Sequence, residues 1–281
     1  MTRSEIRPLL RAAAAMAALA AACSAPPQRD PRAVRWFGAG SKAHSHNDYG
    51  RSRPLEDALR EGFRSVEADV FLRDGELLVG HDEWMLHPQR TLERLYLDPL
   101  RQRIEQNGGS VHGDGETFLL LVDIKRDSAK VYARLREALA GRTSHLTRFS
   151  NDAIEPGAIT IVLSGDRPTA IVAAEPVRYV AIDGRIRDLE QGAPRNLVPL
   201  ISDAWANAFP SRSVDPMPEE EAARLAELAQ RAHTDGRMLR FWGAPDRVES
   251  WHAQQLGNVD WIGTDRPKDL ARWLREQAAA R

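Results

Sequence analysis

The chain has 281 residues, of which 42% are hydrophobic and 28% charged, and its formal net charge is −1. This length suits one globular domain of the size of an α/β barrel, or two smaller domains. The near-neutral charge does not indicate a nucleic acid or an acidic membrane surface as a partner. The single cysteine excludes an internal disulfide and a cysteine-rich metal site.

The first 25 residues have the pattern of a targeting segment. Three arginines precede an alanine-rich apolar run over residues 12–22, which has the length of a signal peptide and is too short to span a bilayer comfortably. Cys23 follows at once, and the run resembles a bacterial lipoprotein signal, with simple secretion as the alternative. We therefore predict a signal peptide over residues 1–22, a lipid on Cys23, a polar tether over residues 23–38 and a membrane-anchored place in the bacterial cell envelope.

The next stretch predicts a β-α-β unit. Residues 43–48 and 65–72 have the pattern of strands and residues 54–63 that of a helix, so the two strands should pair in parallel. Alternation along the second strand places Glu67 and Asp69 on one face, with Cα atoms about 6–7 Å apart. Two carboxylates on a strand otherwise fit for burial are costly unless a positive charge lies between them. They are candidate ligands of one cation, and a solvated edge strand is the alternative.

A hairpin should follow this second strand. Asp74-Gly75 is a strong two-residue turn signal. The pairing that it sets up brings Gly80 opposite Asp69 and places His81 beside the acidic pair. A histidine directed at an acidic pair is a candidate general acid or base, although a lone surface histidine is the plainer alternative.

The remaining chain alternates strands and helices. The third strand, residues 118–125, is a continuous apolar run that ends with Asp123 and Lys125 on one face. Strands are predicted next at residues 158–164, 179–183, 197–202, 238–242 and 259–264, and helices at residues 91–106, 128–140, 168–174, 218–233, 245–256 and 268–277. Eight strands alternating with helices predict a single (β/α)8 TIM-barrel domain over residues 39–281.

Functional groups in such barrels lie at the C-terminal ends of the strands. His46 falls at the end of the first strand, whereas His44 is expected to point away from the pocket or only to border it. The two would share a face if the strand ran regularly to Asn47. Further candidates for the substrate pocket follow other strands: Asp166, Asp183, Asp203, Trp205, Trp242 and Asp265.

These motifs together resemble the phospholipase C-like phosphodiesterase superfamily, which contains glycerophosphodiester phosphodiesterases and phosphatidylinositol-specific phospholipases C. The shared pattern is a histidine that ends the first strand (His46), Glu-x-Asp on the second (residues 67–69) and His-Asp after the hairpin (residues 81–82). The fit is closest to a branch with His-Asn-Asp-Tyr, here residues 46–49. In this chain Asn-Asp at residues 47–48 replaces the family's usual Arg-Gly, and Pro-Leu-Glu at residues 54–56 replaces its usual Pro-Glu-Asn. These differences affect the expected substrate headgroup more than the expected chemistry.

The resemblance implies a metal-dependent phosphodiester hydrolase. Its expected substrate is a small-molecule or lipid-headgroup phosphodiester, attacked by a neighbouring substrate hydroxyl to give a cyclic phosphate. An all-carboxylate site suits Mg²⁺ or Ca²⁺ better than zinc, and we expect a monomer that does not bind nucleic acid. The predicted site consists of His46 and His81 as the catalytic pair, Glu67, Asp69 and Asp123 as metal ligands, and Lys125, Asn47 and Trp242 as substrate contacts.

Three other functions fit parts of the sequence. A metal-dependent amidohydrolase would use His44 and His46 as its first metal ligands and Asp265 as its last, but the histidines usual after strands five and six are missing. A glycosidase would use Glu67 and Asp69, although its catalytic carboxylates normally come from different strands. A lipoprotein that binds phosphate esters without cleaving them is the non-enzymatic alternative.

Overall fold

The structure is a computed structural model that describes residues 42–151 and 153–280. The predicted signal peptide over residues 1–22, the tether over residues 23–38 and the lipid on Cys23 lie outside the described residues. Within those residues, no helix has both the length and the apolar character needed to cross a membrane.

Eight parallel strands close into a barrel, which confirms the predicted (β/α)8 fold. They are β1 (Ala43–Ser45), β2 (Ser65–Arg73), β3 (Phe118–Ile124), β4 (Ile159–Gly165), β5 (Val180–Gly184), β6 (Leu200–Ala204), β7 (Met238–Trp242) and β8 (Trp261–Thr264). Each strand pairs with the next, and β1 pairs with both β8 and β2. Closure leaves the barrel without an open edge.

Helices on the outside of the barrel connect the strands. Over the described residues they are α1 (Glu56–Arg60), α2 (Asp98–Gln106), α3 (Ser128–Ala140), α4 (Thr169–Ala173), α5 (Asp188–Gln191), α6 (Trp205–Ala208), α7 (Glu219–Thr234), α8 (Val248–Leu256) and α9 (Pro267–Ala279). In α7 three glutamates occupy the first turn, where the helix dipole favours negative charge. Leu225, Leu228 and Ala232 are buried at helical spacing along its inner face.

Shorter elements complete the fold. They are the 3-10 turns Asp48–Gly50, Glu83–Met85 and Thr143–His145, the π-helical turn Glu93–Leu97, and a small sheet formed by Arg148–Ser150, Ile154–Glu155 and Val177–Arg178. The sequence pattern did not predict this sheet. Its strands have two or three residues, too few for a two-residue alternation to be recognised.

The first strand is shorter than predicted, and the loop after it is tightly folded. β1 ends at Ser45 because Asn47 adopts a left-handed backbone conformation, with φ of 48°. Asparagine tolerates this region better than most residues. The chain then enters the 3-10 turn Asp48–Gly50, so the residues that follow β1 fold back over the barrel mouth.

The predicted hairpin is confirmed. Asp74 and Gly75 both have positive φ, as a two-residue hairpin turn requires, and the strand Glu76–Val79 pairs antiparallel with the end of β2. The backbone N–H of Gly80 donates to the carbonyl of Asp69 at 3.1 Å. The residue after Gly80 is therefore returned to the acidic pair, as expected.

The barrel interior changes from apolar to polar along the strands. A buried apolar cluster fills the lower part: Leu119, Leu121, Val162, Ala181, Leu200 and Trp261, closed by Phe149. On β3 to β6 the next inward position is polar in each case: Asp123, Ser164, Asp183 and Ser202. The apolar layer supplies stability through burial and excludes water from beneath the polar groups at the mouth.

Candidate functional site

Three carboxylates meet at the C-terminal mouth of the barrel. Glu67 and Asp69 lie two residues apart on one face of β2, and Asp123 of β3 is directly opposite Asp69 in the parallel register. One oxygen from each lies within 4.8 Å of the others. The predicted ligand set is thus brought together, and its donors are of the kind that Mg²⁺ and Ca²⁺ prefer.

The two oxygens of Asp69 have different surroundings. Oδ2 accepts hydrogen bonds from Lys125 Nζ at 2.6 Å, Tyr49 OH at 2.7 Å and His81 Nδ1 at 3.0 Å. Oδ1 is buried and has no hydrogen-bond partner. Burial and the charge of Glu67 raise the pKa of Asp69. A bare, buried carboxylate oxygen is costly, and a cation at Oδ1 would remove that cost, so the acidic cluster could hold a metal ion.

Lys125 lies between two members of the triad. Its Nζ is 2.6 Å from Asp69 Oδ2 and 3.0 Å from Asp123 Oδ1. Burial alone would lower the pKa of Lys125, but the charges of Asp69 and Asp123 outweigh it and raise the pKa. Lys125 therefore stays charged beside the acidic cluster.

Arg240 is a site residue that the sequence interpretation missed. It is buried at the centre of β7, and its Nη2 lies 3.5 Å from Glu67 Oε2 on the opposite side of the barrel. Burial would raise the pKa of Glu67, but the charge of Arg240 and the hydrogen-bonding capacity of His44 hold it well below its usual range. In the sequence, the feature that could have indicated its role is that it is the only charged residue in the predicted strand M-L-R-F-W, residues 238–242.

His46 lies at the edge of the acidic cluster, and each of its ring nitrogens faces a carboxylate. Nδ1 is 3.0 Å from Asp265 Oδ1, and Nε2 is 3.6 Å from Glu67 Oε2. Asp265 is itself held through its backbone N–H, which donates to Asp246 Oδ2 at 2.8 Å. Burial would lower the pKa of His46, but the hydrogen bond with Asp265 and the charge of Glu67 raise it.

His81 approaches the cluster from the hairpin side. Its Nδ1 lies 3.0 Å from Asp69 Oδ2, and more than half of its side chain is exposed. A carboxylate at Nδ1 favours the tautomer with the proton on that nitrogen, which leaves Nε2 available to a substrate. The two histidines therefore have the same arrangement, each with a carboxylate behind the ring.

His44 points into the barrel and borders the acidic cluster. The ring is fully buried, with Nδ1 2.6 Å from Ser65 Oγ and Nε2 3.8 Å from Glu67 Oε2. Of the two directions expected for it, away from the pocket or along its border, the first is wrong, because regular alternation up to Ser45 directs His44 into the barrel. Burial and the nearby Arg240 lower its pKa to about 3, so the ring is neutral.

A small groove adjoins His46 at the ends of β7 and β8. Arg240, Gly263 and Asp265 contribute to its lining, and Trp242 forms part of the wall with 42% of its surface exposed. The predicted substrate contact Trp242 thus borders the candidate site.

The predicted contact Asn47 is engaged with protein groups. Its Oδ1 lies 2.6 Å from Tyr49 OH, and its Nδ2 lies 3.4 Å from Asp265 Oδ1. Trp205, a pocket candidate from the sequence, is buried against Phe209 with ring centres 4.4 Å apart. Trp205 is therefore a core residue, and its assignment to the pocket is wrong.

The three other pocket candidates lie on or just after neighbouring strands. Asp183 is fully buried and accepts a hydrogen bond from Ser164 Oγ at 2.8 Å. Asp166 Oδ2 accepts from the backbone N–H of Ser128, the first residue of α3, and Asp203 Oδ1 from that of Ala204, the last residue of β6. Both aspartates are therefore engaged with backbone groups.

Comparison with known proteins identifies relatives of this chain. Residues 39–183 match the model of the AIM6-like phosphodiesterase domain. The Altered inheritance of mitochondria protein 6 homolog of Arthroderma benhamiae is 30% identical over 252 residues, which cover 79% of this chain and 80% of the relative. Its counterpart in Lachancea thermotolerans is 31% identical, and the match covers 80% of this chain and 63% of that protein.

One solved structure also matches. It is a crystal structure from Agrobacterium tumefaciens, provisionally named a glycerophosphoryl diester phosphodiesterase, with 16% identity and a TM-score of 0.47. The match covers 86% of this chain and all of that one.

The relatives correct the predicted location. The curated relatives from Arthroderma, Lachancea and Eremothecium are fungal proteins, so the prediction of a bacterial cell-envelope lipoprotein is wrong. That prediction depended on a short alanine-rich run and one cysteine, a pattern of common residues with little specificity.

The Arg240–Glu67 pair provides a test of the barrel electrostatics. Replacing one partner of a buried ion pair leaves the other charge unpaired and costs about 3–5 kcal/mol. We expect Arg240→Met to lower the free energy of unfolding in EDTA by this order, and Glu67→Gln in the same chain to restore a large part of it. If the loss in the double variant, measured by urea unfolding, is the sum of the losses in the two single variants, the two side chains do not interact.

The His46–Asp265 pair should make stability depend on pH. The raised pKa of His46 gives a contribution that is complete below the unfolded-state value of about 6.5 and is lost as the pH rises through the folded-state value. Asp265 makes a second contribution to stability, because its pKa is lowered, first by its hydrogen bond with His46. This contribution is lost as the pH falls below about 4. The unfolding free energies of wild type and Asp265→Asn should therefore differ most between about pH 4 and 6.5. A difference independent of pH contradicts this pairing.

Proposed function

We propose, from the premise that the chain belongs to the family of AIM6-like phosphodiesterase domains, that it cleaves phosphodiesters with one divalent cation and two histidines. One observation carries this proposal. His46 and His81 come from different strands, flank the acidic triad, and each has a carboxylate at Nδ1. That arrangement suits proton transfer at the two ends of one bond.

The acidic triad would hold the cation. Glu67, Asp69 and Asp123 offer three oxygens within 4.8 Å of one another, which favours Mg²⁺ or Ca²⁺. Such an ion supplies positive charge to the non-bridging oxygens of a phosphodiester. Lys125 adds a further positive charge at the same place and can neutralise a phosphate oxygen.

The histidines divide the proton transfers between them. His46 is assigned as the base: burial would lower its pKa, but the hydrogen bond with Asp265 stabilises the charged imidazole and the pKa is raised. Its Nε2 would take the proton of the attacking hydroxyl, and His81 Nε2 would deliver a proton to the leaving oxygen. With a substrate hydroxyl as nucleophile, a P–O bond forms to give a cyclic phosphate while the alcohol leaves, and water can then open the ring.

The substrate would be a small-molecule or lipid-headgroup phosphodiester. Small residues at the ends of β7 and β8 leave a groove beside His46, with Trp242 as one wall. A flat aromatic side chain next to the proposed base offers apolar contact to the group esterified to the phosphate. Trp242 is thus proposed to select the headgroup, separately from the chemistry.

The two rival enzymes receive less support from the site. Among residues 42–151 and 153–280, the candidate cluster consists of carboxylates alone, whereas an amidohydrolase would need histidine ligands. Glu67 and Asp69 project from one strand on the same side, so they do not flank a bond as a glycosidase requires. A binding protein without turnover is separated from an enzyme by the assays below.

Metal binding should stabilise the fold. At 100 times the dissociation constant a ligand adds about 2.7 kcal/mol, which for a domain of this size raises Tm by about 5–10 °C. We expect Mg²⁺ or Ca²⁺ to give such a shift and EDTA to reverse it. Asp123→Asn should abolish the shift, whereas Asp203→Asn, an aspartate at another strand end, should keep it. If neither ion changes Tm or activity in wild type, the triad is not a metal site.

Loss of either catalytic histidine should remove turnover and leave binding intact. General acid-base groups contribute about 10²–10⁴-fold, so His46→Ala and His81→Ala should lower kcat by that factor on a chromogenic aryl phosphodiester with metal present. The wild-type rate should be bell-shaped against pH. Each variant should retain the metal-dependent rise in Tm. An active His81→Ala variant, or a fully folded wild type without turnover on a panel of diesters, would contradict the proposal.

A further inference from the structure

Tyr49 contacts the proposed metal site and one of the proposed catalytic histidines. It is buried in the 3-10 turn after β1. Its OH lies 2.7 Å from Asp69 Oδ2, 2.6 Å from Asn47 Oδ1 and 3.3 Å from His81 Nδ1. No role follows for it from the two-histidine chemistry, because its ring is only 3% exposed.

The turn that carries Tyr49 is held rigidly from below. Asp48 is fully buried and accepts hydrogen bonds from Ser45 Oγ at 2.8 Å, from the Leu55 backbone N–H at 2.5 Å and from Tyr96 OH at 3.0 Å. Three bonds to one side chain fix the backbone immediately before Tyr49. The phenol is therefore delivered to Asp69 by a preorganised loop.

The hydrogen bonds at Asp69 decide which of its oxygens is free. A tyrosine hydroxyl carries one proton at neutral pH and is the donor towards a carboxylate. Together with Lys125 and His81 it fills Oδ2, and Oδ1 is left without a donor. Lys125 is a flexible side chain shared with Asp123, so the buried phenol is the more rigid of these constraints.

We propose that Tyr49 is a positioning residue that orients the Asp69 carboxylate, with Oδ2 turned to protein donors and Oδ1 to the cation. This inference rests on the proposed metal-dependent function and gives a physical role to the tyrosine of the His-Asn-Asp-Tyr stretch. Groups that hold a metal ligand in place typically contribute 10–100-fold to metal affinity.

The plainer role for Tyr49 is packing, and one substitution separates the two. Tyr49→Phe keeps the ring and removes the hydroxyl. Tyr132→Phe is the matched control, because Tyr132 on α3 is also buried and its hydroxyl donates to Glu175 Oε2 at 2.7 Å, a residue that is neither a proposed metal ligand nor part of the turn that carries Tyr49. Each variant keeps its ring and loses a side-chain hydrogen bond, so both should lose stability to a similar degree.

The experiment measures metal affinity on the full chain. Mn²⁺ binding is followed by electron paramagnetic resonance and Mg²⁺ binding by calorimetry, at a temperature at which circular dichroism shows every variant folded. Tyr49→Phe should weaken Mn²⁺ affinity about 10–100-fold, and Tyr132→Phe should leave it unchanged. Where Phe at position 49 does not give folded protein, Tyr49→Met fills the space with an adaptable side chain and is measured in the same way.

The outcomes distinguish the inference from the function on which it rests. A wild type that binds neither ion removes the metal site, and the inference with it. A wild type that binds, with Tyr49→Phe binding equally well, leaves the proposed function standing and overturns the role of Tyr49. A parallel loss of affinity in Tyr49→Phe and Tyr132→Phe assigns both hydroxyls to general stability and also overturns it.

Discussion

Repulsion among three carboxylates is the constraint on which the barrel mouth depends. Glu67, Asp69 and Asp123 offer oxygens within 4.8 Å of one another, and two unit charges at about 4 Å repel by roughly 4 kcal/mol at an effective dielectric constant of 20. Lys125 lies against two of them, and Arg240 approaches the third from across the barrel. Two cations facing three anions leave a net negative charge, which a divalent ion would offset.

The backbone beside the acidic cluster leaves no room for a side chain next to Asp123. Gly165 follows Ser164 at the end of β4 with a positive φ, and a Cβ there would lie 2.6 Å from Asp123 Oδ1 and 2.4 Å from the carbonyl of Ile124. Only glycine suits both the conformation and the space. The apolar layer below, which includes Leu121 beside Glu67 in the register, keeps the carboxylates from being solvated from beneath. The three carboxylates are therefore held at the barrel mouth both by the order of the strands that carry them and by the packing around and beneath them.

The parts of the site that were predictable from the sequence depend on local geometry. The two-residue period of a strand brings Glu67 and Asp69 together, and the Asp74-Gly75 turn returns the chain to them within one hairpin. Arg240 could not be placed in this way, because its partner Glu67 is 173 residues away in the sequence. Which residues face each other across the barrel depends on the relative shift of all its strands, and neither strand alone determines that shift. For His44 the expected direction away from the pocket was wrong because it required the exact end of β1, and the ends of elements are the least certain part of such a reading.

The two histidines differ in how closely they are tied to the metal ligands. His81 shares its carboxylate, Asp69, with the proposed cation site: Oδ2 lies 3.0 Å from His81 Nδ1, and Oδ1 would face the ion. His46 has a carboxylate of its own, Asp265, which stands outside the triad and is anchored through Asp246. The proposed acid thus shares its carboxylate with the proposed cation site, whereas the proposed base has a partner outside the triad, so a change at Asp69 would act directly on His81 and only indirectly on His46.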